Sequence, residues 1–186
     1  MNPTSSLLRI CALALSLLAS TVAVAVADGG EGASAGSVEP SSFSGKYTAA
    51  PTDSEKTARQ KSVDTTVGEF NFITRSIARK RIEAMTRISS WIQLKQSGGK
   101  VTVHFEGRQP ETCPIDGVAK GKDLEGNDAE FAAKLSGDKL VTTVTTDEGK
   151  RTNTFKLQAD GSLKVTIEIA SKKFETPVRY TLSYAK

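Results

Sequence analysis

The chain has 186 residues, with 25 Lys and Arg against 21 Asp and Glu and a single His, which gives a formal net charge of +4. This basic excess is mild. A dedicated nucleic-acid binder usually concentrates a stronger excess on one face, so we expect no nucleic-acid partner. The sequence contains no phosphate-binding loop, no Gly-x-Ser-x-Gly elbow and no Cys/His metal spacing. We therefore expect no enzyme, no metal site and no cofactor, since no acid, base and nucleophile converge in the pattern.

Residues 1–27 are predicted to be a signal peptide. Arg9 is the only charged side chain before an apolar and small-residue run that ends in Ala25-Val26-Ala27, the small-x-small pattern that precedes signal-peptidase cleavage. The run is also about long enough to span a bilayer, so a retained anchor is the alternative. We predict cleavage after Ala27 and export to the periplasm or the exterior.

Residues 28–42 are rich in Gly, Ala, Ser and Glu and are predicted to form a disordered linker, because they offer little apolar surface to bury. Residues 43–186 have the length of one domain, which we expect to be monomeric. Cleavage would leave Cys113 as the sole cysteine, so the domain is predicted to hold by packing alone, with Cys113 as a buried structural thiol.

An amphipathic helix is predicted over residues 53–88. Thr52 and Glu55 have the spacing of a capping box at its start. An apolar stripe recurs at helical spacing and is predicted to pack on the core; its members are Val63, Val67, Phe70, Ile77, Met85 and Ile88. Gly68 is a weak helix former, so the helix is either one piece or kinked there.

Apolar residues alternate with polar ones through most of the remaining chain, which is typical of antiparallel strands with one buried face. The clearest run is the pair of strands from Lys156 to Lys186, with Asp160-Gly161 predicted as a type I′ hairpin turn before Leu163. Residues 109–126 are less regular, and we expect loops there with one short strand near residues 115–122. The total is eight or nine short strands at spacings of about 10–12 residues, which favours a sandwich or a barrel.

The first strand, Gly45-Lys46-Tyr47, followed by a helical insertion and then hairpins, resembles the calycin superfamily. Lipocalins carry Gly-x-Trp at this place, where this chain has Tyr47, and fatty-acid-binding proteins place helices between their first and second strands. The chain is also similar to small secreted bacterial proteins of unassigned function with a lipocalin-like domain. The segments that carry that similarity are Asn71-Phe72-Ile73, Ile77-Ala78-Arg79 and Pro177-Val178-Arg179-Tyr180.

The resemblance implies a mainly β fold, an antiparallel up-and-down barrel of eight or nine strands with the helix packed against or across one end. It also implies a small apolar cavity, although small barrels can be packed solid and an open sheet is the alternative to closure. We expect an exported, non-enzymatic binding module for a small apolar or amphipathic ligand. The candidate lining or core residues are Trp91, Phe105, Phe131, Phe155 and Tyr180.

Arginines on the helix suggest two further roles. Arg81 falls near the apolar stripe and is predicted to meet a ligand carboxylate if the helix closes the barrel mouth. Phe72 projects outward between Arg75 and Arg79, and an exposed aromatic beside arginines suits an envelope protein or an anionic lipid surface. The alternative function is therefore a cell-envelope interaction or structural protein that uses this Arg-rich helix face.

Overall fold

The computed structural model describes residues 43–123 and 126–186, so the predicted signal peptide and the predicted linker over residues 28–42 lie outside the described part. Two helices, α1 (Asp53–Gly68) and α2 (Phe72–Met85), follow the first strand. The ten strands are β1 Gly45–Ala49, β2 Trp91–Ser97, β3 Lys100–Phe105, β4 Glu111–Pro114, β5 Val118–Lys122, β6 Asp128–Ser136, β7 Lys139–Thr146, β8 Gly149–Leu157, β9 Leu163–Ser171 and β10 Phe174–Ala185.

The strands form one antiparallel sheet in the order β4-β3-β2-β1-β10-β9-β8-β7-β6-β5. Strands that are neighbours in the sheet also follow one another along the chain, except for β1 and β10. This connectivity is that of an up-and-down barrel. The two edge strands are β4 and β5, and the barrel is nearly closed beside them by a parallel bridge between Ile115 and Ala133. The predicted antiparallel barrel is thus confirmed, with ten strands rather than eight or nine.

The strand that sequence reasoning missed is β4. Pro110 and Pro114 suggested a loop, because proline cannot donate to a β-ladder. In the structure Pro114 is the last residue of an edge strand, where an absent donor costs nothing, and Cys113 pairs with Val101 of β3. Cys113 is fully buried, as predicted.

The turns follow local backbone chemistry, with one correction. The two-residue turn Gly98-Gly99 has positive φ at both positions, the type I′ arrangement. The predicted type I′ turn at Asp160-Gly161 is wrong, since Gly161 has φ 79° but Asp160 is not in the positive-φ region. Instead the Asp160 carboxylate accepts hydrogen bonds from the Ser162 amide at 2.9 Å and its hydroxyl at 2.6 Å, which stabilises a longer loop.

The predicted helix over residues 53–88 is two helices, and the break lies just past Gly68. Helix α1 begins with the predicted capping box at Thr52 and Glu55. Helix α2 has its own N-cap, Asn71, whose side chain accepts from the amides of Ile73 and Thr74. Asn71 separates the two helices, because an N-cap residue adopts extended φ and ψ and so cannot continue a preceding helix.

Helix α1 is fixed to β10 by polar side chains that replace a neighbouring strand. Glu69 accepts from the amides of Glu175 at 2.7 Å and Thr176 at 2.9 Å, where the β9–β10 register shifts. Further along β10, Ser62 accepts from the Arg179 amide at 2.8 Å and Glu55 from Ser183. These three side chains, spaced about two helical turns apart, therefore satisfy backbone groups of β10 that would otherwise be exposed.

Helix α2 is held differently, and two of the six residues of the predicted apolar stripe are exposed. Val63 and Val67 of α1 are fully buried, but Ile77 is 58% exposed and Met85 37% exposed. Only Ala78 and Ile82 of α2 are buried. The stripe prediction is wrong for α2 because a cavity, not packed core, lies beneath that helix. Within the described residues, neither helix is long and apolar enough to cross a bilayer.

Candidate functional site: a cavity beneath helix α2

A cavity of about 1020 Å³ lies between α2 and one end of the barrel. Its walls include Thr74, Ile77 and Arg81 of α2 and the turns that join β3 to β4, β5 to β6, β7 to β8 and β9 to β10. In an up-and-down barrel these four turns meet at the same end, which places α2 across that end. The volume is at the upper limit of ordinary small-ligand pockets, about 300–1,000 Å³.

The rest of the barrel interior is packed. The alternating apolar side chains of β9 from Leu163 to Ile169 and of β10 from Val178 to Tyr184 are at most 8% exposed, and of these Ile169 lines the large cavity. Ile167, Tyr180 and Tyr184 surround a much smaller cavity of about 10 Å³. The barrel therefore has a solid half and a hollow half, and the hollow half faces α2.

A charged pair crosses the interior at the inner end of the large cavity. Arg151 of β8 and Glu111 of β4 form an ion pair, with side chains only 17% and 10% exposed. Their strands are far apart in the sheet order, so the pair spans the barrel rather than joining neighbours. Arg151 points inward because it shares the alternation of Asn153 and Phe155, both buried on β8. Glu111 points inward in the same phase as buried Cys113.

Arg108 approaches this pair from the β3–β4 turn. Its guanidinium donates to the Met85 carbonyl of α2 at 2.6 Å and lies 5.8 Å from the centre of the Phe105 ring. Burial, and the positive charge of Arg151, lower the pKa of Arg108. Among the described residues no carboxylate lies within ion-pair distance of Arg108, so the inner end of the cavity carries a cation held by a carbonyl and an aromatic face.

Buried polar atoms surround the small cavity. Asn153 donates to the Thr142 hydroxyl at 3.2 Å, but its Oδ1 has no hydrogen-bond partner in the described part of the chain. The Nε of Arg151 also has none. Orphaned groups of this kind are usually satisfied by water or a ligand, and a space of about 10 Å³ is close to what one water needs.

Tyr180 and Tyr184 also line the small cavity, and their phenol groups are uncharged. Tyr180 donates to the Thr86 carbonyl at 3.4 Å, just past the end of α2. Burial raises the pKa of Tyr180 to about 12. Burial, and the nearby Tyr180, raise the pKa of Tyr184 as well. Both hydroxyls therefore stay protonated near neutral pH and act as hydrogen-bonding groups rather than as bases.

The mouth of the cavity is also charged, but its charges are exposed. Arg81 lines it from α2, as the sequence suggested. Glu148 and Lys173 pair across the β7–β8 and β9–β10 turns at 2.5 Å, and that hydrogen bond lowers the pKa of Glu148. Charges in contact with solvent are screened, so they influence approach more than binding at depth. Within the described residues no group of three or more His, Cys, Asp and Glu is placed to hold a metal ion.

The predicted lining residues take three different positions. Phe131 lines the large cavity, Phe105 and Tyr180 line the small one, and Phe155 is core, with its ring centre 6.5 Å from that of Phe105. The interior position predicted for Trp91 is corrected. Its ring meets His104 edge-on at 4.9 Å and the Lys46 ammonium at 4.6 Å, on the face opposite buried Ile92.

The predicted outer surface of α2 is present, although its arginines are engaged. Phe72 is 85% exposed, as expected, and Ile73 beside it is 69% exposed. Arg75 donates to the carbonyls of Gly68 and Phe70, and Arg79 pairs with Asp64 at 2.6 Å. Both arginines thus connect α2 to α1 and its end, which reduces their freedom to bind a separate partner.

Sequence reasoning missed Arg108, Glu111 and Arg151. Glu111 lies in the stretch 109–126, predicted as loops with one short strand, and Arg108 directly precedes it, so no alternation showed which way these two side chains face. Arg151 had a usable signal, because it is two residues before Asn153 and four before Phe155 on one strand. No local sequence pattern indicates that these three residues share one cavity, since they lie up to 43 positions apart in the sequence.

Several solved structures have a fold similar to that of this chain. No protein-family model matches the chain, and no curated protein matches it in sequence. Apo lipid binding protein 8 from Caenorhabditis elegans is similar with a TM-score of 0.53 at 13% identity, over 80% of this chain and 98% of that one. Secretory abundant heat soluble protein 4 from Ramazzottius varieornatus gives 0.50 at 13% identity, over 78% of this chain and 95% of that one.

A second secretory abundant heat soluble protein from Ramazzottius varieornatus is similar, with a TM-score of 0.51 at 12% identity, over 78% of this chain and 95% of that one. At such identities the similarity concerns the fold alone. The shared fold is an antiparallel up-and-down β-barrel, the fold that the resemblance noted in the sequence implies.

Proposed function

We propose that the protein is an exported, non-enzymatic binding module that holds a small amphipathic ligand in the cavity beneath α2. The observation that carries this proposal is the cavity itself, about 1020 Å³ in volume, with apolar side chains on its walls and the half-buried Arg108 at its inner end, which forms no ion pair with a carboxylate of the described residues. A ligand with an apolar body and a polar head matches that distribution.

The fold supports a binding role. One structure of this fold carries the name lipid binding protein, and its barrel covers most of this chain. The chemistry around the cavity also suits binding more than catalysis, since Tyr180 with a pKa of about 12 is neither a base nor a nucleophile near neutral pH. Export is supported by the Ala25-Val26-Ala27 pattern.

Entry is proposed to occur beside α2. Helix α1 is tied to β10 at three positions, whereas α2 is tied to α1 by Arg75 and Arg79 and, at its C-terminal end, by Arg108 at the Met85 carbonyl and Arg59 at Thr86. Exposed Ile77 and Arg81 sit on its cavity side. Displacing α2 would break these polar contacts and the packing of Ala78 and Ile82, and would open the cavity.

The test is recovery of a ligand from native protein. The chain is purified without detergent, extracted with organic solvent and analysed by mass spectrometry. We expect a stoichiometric amphipath and displacement of a neutral fluorophore, N-phenyl-1-naphthylamine, by saturated ten-carbon compounds. A chain that neither carries a lipid nor takes up the fluorophore contradicts the proposal.

A second candidate function is docking to an anionic envelope surface through α2. The observation in its favour is that Phe72 and Ile73 are 85% and 69% exposed beside basic residues. Sedimentation with vesicles of anionic and of neutral phospholipid distinguishes the two. Binding to anionic vesicles that is lost in Phe72→Ser supports docking, and equal recovery with both vesicle types contradicts it.

A further inference from the structure

Three charged side chains meet at the inner end of the cavity, and their charges do not cancel. Arg151 is matched by Glu111 in a pair that is mostly buried on both sides. Arg108 lines both cavities beside Arg151, and its contacts are the Met85 carbonyl and the Phe105 ring. The cluster therefore holds two positive charges and one negative charge.

The other charged residues around the cavity do not alter this balance at depth. The remaining lysines and arginines of its lining are exposed, namely Arg81, Arg87, Lys120, Lys122, Lys150 and Lys173. Lys122 pairs with Asp128 and Lys173 with Glu148. Glu106 accepts from the Ser90 amide at 2.8 Å, and Asp123 accepts from the Asn127 amide at 2.8 Å. Solvent screens the charges at the mouth, so the buried cluster decides which headgroup is tolerated.

We propose that Glu111 sets the charge of the headgroup that the cavity accepts: it neutralises Arg151, leaves Arg108 as the unmatched cation, and so selects a monoanionic amphipath over a dianionic or an uncharged one. This inference rests on the binding function proposed above. It assigns Glu111 as a specificity-determining residue, which acts on the ligand through Arg151.

The physical reason is the cost of an uncompensated charge in a poorly solvated space. A monoanion beside Arg108 brings the cluster to neutrality. A dianion leaves one negative charge in excess, since Glu111 already occupies Arg151. An uncharged head leaves Arg108 unmatched. A buried charge that lacks a partner is disfavoured more strongly than a paired charge is favoured.

The experiment compares three probes with the same ten-carbon chain: decanoate, decyl phosphate and decanol. Their dissociation constants are measured at pH 8 by displacement of N-phenyl-1-naphthylamine, which is uncharged. At this pH the carboxylate is a monoanion and the phosphate monoester, with a second pKa of about 6, is mostly a dianion. We expect the unaltered chain to bind decanoate about tenfold more tightly than either other probe, a modest effect for partly screened charges.

Variants at the pair shift the balance by one charge in either direction. In Glu111→Gln the cluster carries two unmatched cations, and we expect the phosphate-to-carboxylate preference to rise about tenfold. In Arg151→Gln the cluster is neutral, and decanol should become the preferred probe. The double variant Glu111→Gln/Arg151→Gln restores one unmatched cation and should keep the original order of affinities.

Glu130→Gln is the matched control, because Glu130 is an exposed carboxylate on the outer face of β6. If the single Glu111 variant fails to fold, the Arg151 and double variants carry the same test. Unchanged probe preference in the folded Glu111 or Arg151 variants overturns the assignment of Glu111 while leaving the binding function standing. Failure of all three probes to bind the unaltered chain overturns the binding function and this inference with it.

Discussion

Single residues in this barrel are constrained mainly by what lies next to them across the sheet. Gly149, the first residue of β8, lies opposite Ser171 of β9. A Cβ at Gly149 would lie 3.0 Å from the Ser171 Cα and closer still to the Ala170 carbonyl oxygen. Both atoms are backbone and cannot move aside without shifting the strand, so this position is restricted to glycine by space alone.

Gly149→Ala is expected to lower the free energy of unfolding by about 1–3 kcal/mol, the range for overpacking. Urea denaturation measures the change. Gly68→Ala is the matched control, because no atom lies within 4 Å of a Cβ placed there at the end of α1, and we expect it to be neutral or slightly stabilising. Equal effects of the two substitutions would contradict the steric account.

Cys113 gives the fold a sensitivity to alkaline pH. Burial, and the charge of Glu111, raise the pKa of its thiol from about 9 to about 11. The folded state therefore keeps a proton that the unfolded chain releases. This contribution is fully present below about pH 9 and is lost as the pH rises through about 11.

Between pH 8.5 and 10.5, the free energy of unfolding should fall by up to about 2 kcal/mol because of this thiol. In Cys113→Ala the slope should be shallower, whatever its absolute stability. Chemical denaturation at a series of pH values measures both slopes. Parallel curves for the two proteins would show that the thiol is not the group responsible. Burial raises the pKa of Tyr180 from 10 to about 12, so this phenol also lowers the stability above about pH 10; both proteins retain it, and the difference between their slopes isolates the thiol.

At the scale of elements, the two helices differ in how they are attached. Helix α1 lies beside β10 where a neighbouring strand would otherwise pair. Glu69, at the C-terminal end of this helix, accepts hydrogen bonds from the amides of Glu175 and Thr176, where the register of β9 and β10 shifts. These hydrogen bonds lower the pKa of Glu69. The attachment is therefore present above the ordinary pKa of a glutamate and weakens as the pH falls below it.

Glu69→Ala should expose the amides of Glu175 and Thr176 to hydrogen exchange while the amides at the centre of β9 stay protected. Exchange followed by NMR resolves the individual positions. Glu130→Ala, which removes an outward carboxylate on β6, should leave both sets unchanged. Retained protection at Glu175 and Thr176 in the Glu69 variant would mean that these amides are shielded by something other than the Glu69 carboxylate.

At the scale of the whole molecule, the domain combines a packed half and a hollow half within one sheet. Closure beside the edge strands depends on the segment after β4, where the Asp116 amide donates to the Ala133 carbonyl at 2.9 Å and Asp116 has φ 56°. Asp tolerates this left-handed backbone better than most residues do. The bridge lets a short edge strand complete the barrel without a full ladder to β6.

Delivery of the domain is predicted to depend on residues before it. Expression of the full chain in a bacterial host with intact secretion should give a mature protein that begins at Asp28, because cleavage is expected after Ala27. N-terminal sequencing and fractionation measure this. Ala27→Arg should block cleavage, whereas Asp28→Asn should not. A mature protein that retains Met1 would favour the anchor over the cleaved peptide.

Much of the fold was accessible from sequence because its signals are local. The alternation in β9 and β10, the capping box at Thr52 and the apolar positions Val63 and Val67 each depend on residues a few positions apart. The type of turn at Asp160 and the strand β4 were missed, since a turn depends on loop length as well as on Asp-Gly, and an edge strand tolerates the prolines that a central strand would not.

The sequence by itself determined an antiparallel, mainly β domain with a helical segment after its first strand, the buried Cys113 and the outward Phe72. Only the tertiary structure decided that α2 covers a cavity instead of packed core, that Trp91 lies outside, and that Arg108, Glu111 and Arg151 share one interior. The reason is physical. Periodicity specifies which face of an element is buried. The space between elements and the pairing of distant charges depend on how all the strands close into the barrel.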